Sequence, residues 1–272
     1  MNPGQGKASN YTAPALEKGL DILELLADAP AGMTQNQIAL GLGRSIGEIF
    51  RMLEVLERRG YLSRSPVEGR YRLTLKLFEL AHRQPRIRRL VAVALPVMSE
   101  LAQATRQSNH LVVHHDRRIL VIAQVDSPEP MGFSVRIGGH FPFRIDRVSA
   151  RILTAFQPPA GQEALIQELI GNDPSPPSRR TLLRLMATLR ARGYEECESA
   201  TMPGITDLCC PIFDRSGHAV ATLTQPWLRQ RDVRVTIAEA RTLQLEAVAR
   251  ISRELGSGDD AGATPGPAQP MT

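Results

Sequence analysis

An α+β fold is predicted for this chain, with a small helical N-terminal unit closed by a hairpin and a larger C-terminal antiparallel sheet flanked by helices. Three observations predict it. Two helix-start signatures follow one another closely between residues 34 and 60. The hydrophobic period then changes from helical to alternating, first near residue 61 and again from residue 110. The basic charge is also concentrated in one stretch: residues 44–89 carry 12 Lys and Arg against 5 Asp and Glu, whereas residues 90–272 carry 19 against 19. A chain of 272 residues has room for two domains.

The N-terminal elements read in order. Pro14 suits the first turn of a helix, and Leu16, Leu20 and Leu23 with Ile22, Leu25 and Leu26 continue it to about Asp28. Ala29-Pro30-Ala31-Gly32 breaks it. Thr34 followed by Gln37 is a capping box, in which each residue satisfies the other's free N–H, and Gly41 and Gly43 end that short helix. Ser45 and Glu48 form a second box ahead of Ile49, Met52, Leu53 and Leu56, with Gly60 as the stop near Arg59. Tyr61 to Arg64 and Arg70 to Leu75 alternate across a turn holding Pro66 and Gly69. Three helices and a hairpin in this order make a winged helix-turn-helix.

Further along, Lys76–Ala81 reads as a short helix, and His82–Arg89 as a polar, basic linker. Val91–Arg106 is helical, kinked or restarted at Pro96. Strands are expected over His110–His115, Arg118–Val125, Met131–Ile137, Ile205–Phe213 and Ala219–Leu223, the last two joined by a tight turn at Asp214–Gly217. Helices are expected over Asp146–Phe156, Gly161–Ile170, Arg179–Arg192 and from a Thr236 cap to about Leu255. The expected divisions are a disordered N-terminus at 1–12, the winged helix-turn-helix at 13–81, a linker at 82–93, a larger C-terminal domain at 94–255 and a disordered tail at 256–272.

Composition excludes several classes. No run of about 18 uncharged apolar residues exists to span a membrane, and residues 1–11 lack the apolar core of a signal peptide. The cytoplasm is therefore the expected compartment. Three cysteines, two of them adjacent, make neither a disulfide framework nor a zinc finger. His110 and His114 are the best metal candidates beside His115, Cys209 and Cys210, but on a strand they stand about 13 Å apart, so no metal site is expected. No His and carboxylate order surrounds the cysteines to activate one as a nucleophile. No catalytic residues and no cofactor are expected.

The chain resembles the IclR family of bacterial transcription regulators from about Ala13 to Leu255. Four anchors carry the likeness: Leu16 to Leu23 opening the first helix, Glu48 to Leu62, Tyr71-Arg72-Leu73 leaving the wing, and Arg192-Gly193-Tyr194 with Ile212-Phe213-Asp214 and the closing Ile251 to Gly256. The resemblance implies a dimer or tetramer, a helical linker, a GAF-like effector domain and control of genes for the uptake or breakdown of organic compounds. Expected partners are double-stranded DNA carrying a near-palindromic operator, a small organic acid effector and further copies of the chain, with no membrane. Two other readings compete: an enzyme acting on nucleic acid, disfavoured by the missing catalytic constellation, and a DNA binder blind to ligands.

Candidate DNA contacts follow from position. Arg44, Ser45, Gly47, Glu48 and Arg51 stand at the start of the second capped helix, where such helices meet base edges; Arg51 suits guanine and Glu48 a cytosine amine, although Glu48 is also the partner of the Ser45 cap. Arg64, Arg70 and Arg72 are wing candidates for phosphate or the minor groove. For the effector, the resemblance implies a pocket that in family members binding small 2-oxo acids uses backbone N–H groups after a Pro-Leu-His-Ala segment, an acidic residue, a Cys and two serines. Here that segment reads Pro142-Phe143-Arg144-Ile145, and the four side-chain positions fall on Cys197, Asp207, Thr224 and Pro226. Asp146 is expected to cap a helix opened by Arg147 and Val148, an anion site. Phe143, Ile145, Met202, Ile205 and Leu208 are expected to supply apolar surface, so an aromatic or medium-chain carboxylate is expected rather than a compact oxo acid.

Overall fold

The computed structural model describes residues 13–230 and 235–257. The expected disorder at 1–12 lies outside the described residues, as does the expected tail apart from Gly256 and Ser257. The chain divides into two compact units, Met1–Pro85 and Arg86–Thr272.

The N-terminal unit runs α1 (Pro14–Ala27), β1 (Met33–Thr34), α2 (Gln35–Gly41), α3 (Ile46–Arg58), β2 (Leu62–Arg64), β3 (Arg70–Leu73) and α4 (Lys76–His82). The helical stripes do as their spacing predicts: Ile22 and Leu26 of α1, Ile38 of α2, and Ile49 and Leu53 of α3 bury together against Leu62 and Tyr71. At α2 the capping box is complete, with Gln37 N–H donating to Thr34 Oγ1 at 3.3 Å and Thr34 N–H donating to Gln37 Oε1 at 2.9 Å. The hairpin gains a third strand that periodicity does not show. The two-residue β1 pairs antiparallel with β3, Met33 opposite Tyr71, in the order β1-β3-β2.

The second unit is built on α5 (Pro85–Thr105), a sheet of six strands, and four further helices. The helix does not restart at Pro96, and α5 continues through it. Packing outweighs the one lost backbone bond: Ala94, Val97, Met98 and Leu101 on either side of the proline are all buried in one cluster. Most of the expected linker is likewise the first turns of this helix. The strands are β4 (Asn109–His115), β5 (Arg118–Val125), β6 (His140–Pro142), β7 (Glu195–Glu198), β8 (Ile205–Phe213) and β9 (Ala219–Leu228), all antiparallel in the order β6-β5-β4-β9-β8-β7. The helices are α6 (Val148–Ala155), α7 (Pro159–Asn172), α8 (Arg179–Arg192) and α9 (Ile237–Glu254).

The sheet has a helical layer on each face. Leu111, Val113, Leu223, Cys210 and Ile212 face α5 and α9. Their strand neighbours Val112, Val121 and Cys209 face α6, α7 and α8. Such two-sided burial explains the continuous apolar runs of β4 and β8. Three expectations are corrected. Met131–Ile137 alternates like a strand but is irregular, and the edge is taken by β6 after a turn closed by Gly139 N–H donating to the Arg136 carbonyl. β7 was not expected, because Glu195-Glu196-Cys197-Glu198 is too acidic to read as a strand; it is an edge strand, where charge is tolerated. The helix expected from Asp146 begins at Val148. Among the described residues no helix is long and apolar enough to cross a membrane.

Candidate nucleic-acid interface and C-terminal cavity

At the start of α3, Ser45 N–H and Oγ–H both donate to Glu48 Oε2, at 3.0 and 2.9 Å. Lys18 of α1 donates to Glu48 Oε1 at 3.0 Å. Arg44 lies 3.8 Å from Asp21 and 4.0 Å from Glu48. The backbone N–H of Ser45, and then Lys18, lower the Glu48 pKa to about 2. Both Glu48 oxygens thus hold the helix start against α1, the capping role weighed for it beside a base contact. Gly47 and Arg51, one turn apart, face outward; a side chain at Gly47 would meet open space, and Arg51 is exposed with no ion pair among the described residues.

The wing arginines divide. Arg64 is exposed, its guanidinium 5.3 Å from the centre of the Tyr71 ring. Arg70 donates to the Gly32 carbonyl at 2.9 Å and to Gln37 Oε1 at 3.2 Å. Arg72 donates to the Ala31 carbonyl at 3.2 Å and to Glu68 at 3.1 Å. These two strap the hairpin to the connection before β1, a role different from the expected phosphate contacts. The signal missed was β1 itself, which brings residues 31–33 alongside β3. Gly32 is part of the same joint: its φ is +73°, and a Cβ there would stand 2.5 Å from Arg72 Cγ and 2.7 Å from the Tyr71 carbonyl.

In the second unit a cavity of about 590 Å³, its open mouth included, lies on the α6 face of the sheet. His110 and Val112 of β4, Asp207 of β8, and Thr224 and Pro226 of β9 form its floor. Phe133, Val135 and Phe141 form an apolar wall, and Arg147, Val148 and Ser149 bring the start of α6 to it. Of the expected effector residues, Arg147, Val148, Asp207 and Thr224 line the cavity; Phe143 and Cys197 do not. Phe143 is fully buried, edge-on to His114 at 4.6 Å between ring centres. Cys197 is held by Arg151, whose guanidinium donates to its sulfur at 3.3 Å and to both Glu195 oxygens at 2.9 Å. The expected apolar surface is also displaced: Ile205 and Leu208 are core, Met202 is exposed, and Val112, Ile119, Phe133, Val135 and Phe141 serve instead.

Asp146 is not the helix cap. Arg147 occupies that position in an extended conformation, with no side chain capping α6. The Asp146 carboxylate instead lies 3.4 Å from Arg144 and 3.6 Å from Arg147. The longer pair is an ion pair without a hydrogen bond, and both Arg147 Nε and Asp146 Oδ1 are buried without a hydrogen-bond partner. The Arg147 guanidinium stands 5.6 Å from the centre of the Phe141 ring. On the floor, burial raises the pKa of Asp207 and lowers that of His110 to about 4, so the imidazole is neutral near pH 7. Thr224 donates to Cys209 Sγ at 3.3 Å and lies 3.1 Å from the Ser149 hydroxyl, a polar chain from α6 across the sheet.

Comparison with known proteins agrees with both halves. Residues 15–66 match the IclR helix-turn-helix domain and residues 86–253 the bacterial transcriptional regulator IclR C-terminal domain. The glycerol operon regulatory protein of Streptomyces griseus is 27% identical over 252 residues, covering 90% of this chain and 97% of its own. Two solved structures share the fold. That of Thermotoga maritima IclR has a TM-score of 0.70 at 23% identity, covering 89% of this chain and 98% of its own. An IclR homologue from Microbacterium hydrocarbonoxydans, complexed with 4-hydroxybenzoate, has a TM-score of 0.71 at 22% identity, with the same coverage.

Proposed function

This chain belongs to the IclR family of bacterial transcription regulators, and from that premise we propose that a small organic monocarboxylate, bound in the C-terminal cavity, controls its hold on an operator. It is a DNA-binding regulator and not an enzyme. In our reading α3 enters the major groove with Gly47 and Arg51 leading and Arg44 beside them, while Arg64 reaches the backbone from the wing. A homodimer or tetramer in the cytoplasm would set two such helices on a near-palindromic site.

One observation carries the effector reading: Arg147 stands at an uncapped helix start, in a largely apolar cavity, with a buried Nε that lacks a hydrogen-bond partner. A carboxylate there completes a charge-assisted bond that Asp146, at 3.6 Å, does not make. Phe133, Val135 and Phe141 suit a ring or short chain. Asp207 on the floor disfavours a second acid at the far end, since like charges repel. Binding would shift the population of DNA-competent arrangements. The solved homologue complexed with 4-hydroxybenzoate makes benzoates sensible first probes.

Calorimetry with benzoates, phenylacetates, pyruvate and glyoxylate tests the reading. An aromatic monocarboxylate should bind and alter operator affinity, and Arg147→Ala should weaken its binding by about 1.5–3 kcal/mol, the worth of a hydrogen bond to a charged group, without changing DNA binding of the free protein. Tight glyoxylate binding with no aromatic response would overturn the choice of an aromatic acid, and no binding of any of these acids would overturn the reading.

A further inference from the structure

Two large apolar side chains on α3 are left out of the core. Ile46 is 48% exposed and Phe50 43%, whereas Ile49 and Leu53 of the same helix are fully buried. Ile46 and Phe50 are one turn apart, so they share a side of the helix and lie about 6 Å apart along its axis. Their side borders the outward strip of Gly47 and Arg51, and Gly47 between them leaves open space where a side chain would stand. The part of this pair that stays in water adds nothing to the stability of the unit. Its flanks are cationic, with Arg44 before it and exposed Arg51 after it. A second protein that covered such a pair would have to bury those guanidinium groups, whereas a DNA groove offers phosphates to them and apolar groups to the pair. In the major groove the apolar group at a base edge is the C5 methyl of thymine.

We infer that Ile46 and Phe50 read thymine methyl groups, so that T·A pairs next to the base contacted by Arg51 are selected by apolar contact. This rests on α3 being the reading helix. Polar residues at the helix start leave little else to read A·T pairs: Ser45 and Glu48 are bonded to each other, and no Asn or Gln stands on α3 to bind adenine.

The test begins with selection of bound duplexes from a random-sequence library by the full chain. The selected site is then prepared with deoxyuridine replacing thymidine one position at a time, which removes only the methyl. Titrations at fixed salt should show a loss of about fourfold for each contacted methyl, the worth of one buried methyl group. In Phe50→Ala, or Ile46→Ala for the other position, the thymidine and deoxyuridine duplexes should bind equally, with non-specific binding retained. If the wild-type chain selects a site yet binds both forms alike, the inference is overturned while DNA reading by α3 stands. If the chain selects no sequence at all, both fall. The wild-type comparison needs no variant, so a substitution that fails to fold leaves the result decided.

Discussion

Arg51 and Glu48 sit one turn apart on the same helix and have opposite prospects. Arg51 is exposed and unpaired among the described residues, so Arg51→Ala should cost about 1–3 kcal/mol on a selected operator and little on random DNA, as gel-shift titration would show. Equal loss on both would make it a phosphate contact. Glu48 has the lowered pKa of a carboxylate already satisfied by Ser45 and Lys18, which supports the capping role over a base contact. His110 supplies a pH prediction. Its imidazole takes up a proton near 4 in the fold but near 6.5 in the unfolded chain. Between those values the unfolded state binds more protons, so the stability contribution is full above pH 6.5 and is lost as the pH falls toward 4. Urea titrations of the second unit at pH 7.5, 6 and 4.5 should show this slope, and His110→Gln should flatten it.

At the scale of elements, the wing depends on a joint rather than on its own hairpin. Arg70 bridges the Gly32 carbonyl and Gln37, so it ties β3 both to the chain before β1 and to α2. Arg70→Ala should destabilise the N-terminal unit by about 1–3 kcal/mol, since it leaves a carbonyl without its donor. Gly32→Ala should cost more than about 1 kcal/mol, because its positive φ and the 2.5 Å approach of Arg72 both oppose a Cβ. Thermal melts of the two variants check this. If Arg70→Ala melts like the parent but loses affinity for all DNA equally, the arginine is a phosphate contact after all. The irregular Met131–Ile137 segment shows the converse: its alternation is strand-like, yet two of its alternating residues, Phe133 and Val135, are used to wall the cavity.

For the whole molecule, each of the two compact units has apolar clusters of its own among the described residues. A chain of residues 86–257 should therefore fold alone and bind the effector with the affinity of the full protein, measured by calorimetry, while retaining no operator binding. Loss of folding in that fragment would show that the second core is incomplete without the first. In the first unit α1, α2 and α3 were legible from caps and stripes, because those signals are local: a side chain and a backbone group three residues away, or positions on one helix face. In the second unit the helices and the long strands were legible, and the short edge strands were not, because β6 and β7 owe their conformation to a neighbour's hydrogen bonds and not to their own pattern.

By itself the sequence determined the order of the helices and of the long strands, the α+β class, the two capping boxes and the basic block that marks the N-terminal unit, each a matter of period, composition or short-range pairing. The tertiary structure alone decided which polar residues were committed elsewhere. Arg70 and Arg72 are bonded to residues some forty positions earlier, Glu48 to Lys18 thirty positions away, and Cys197 to Arg151. It also decided that the cavity wall is Phe133, Val135 and Phe141 in place of Phe143, which the fold turns into the core. The reason is that a side chain's availability for a ligand depends on which distant groups the packed chain brings within hydrogen-bonding reach, and periodicity along the sequence carries no record of them.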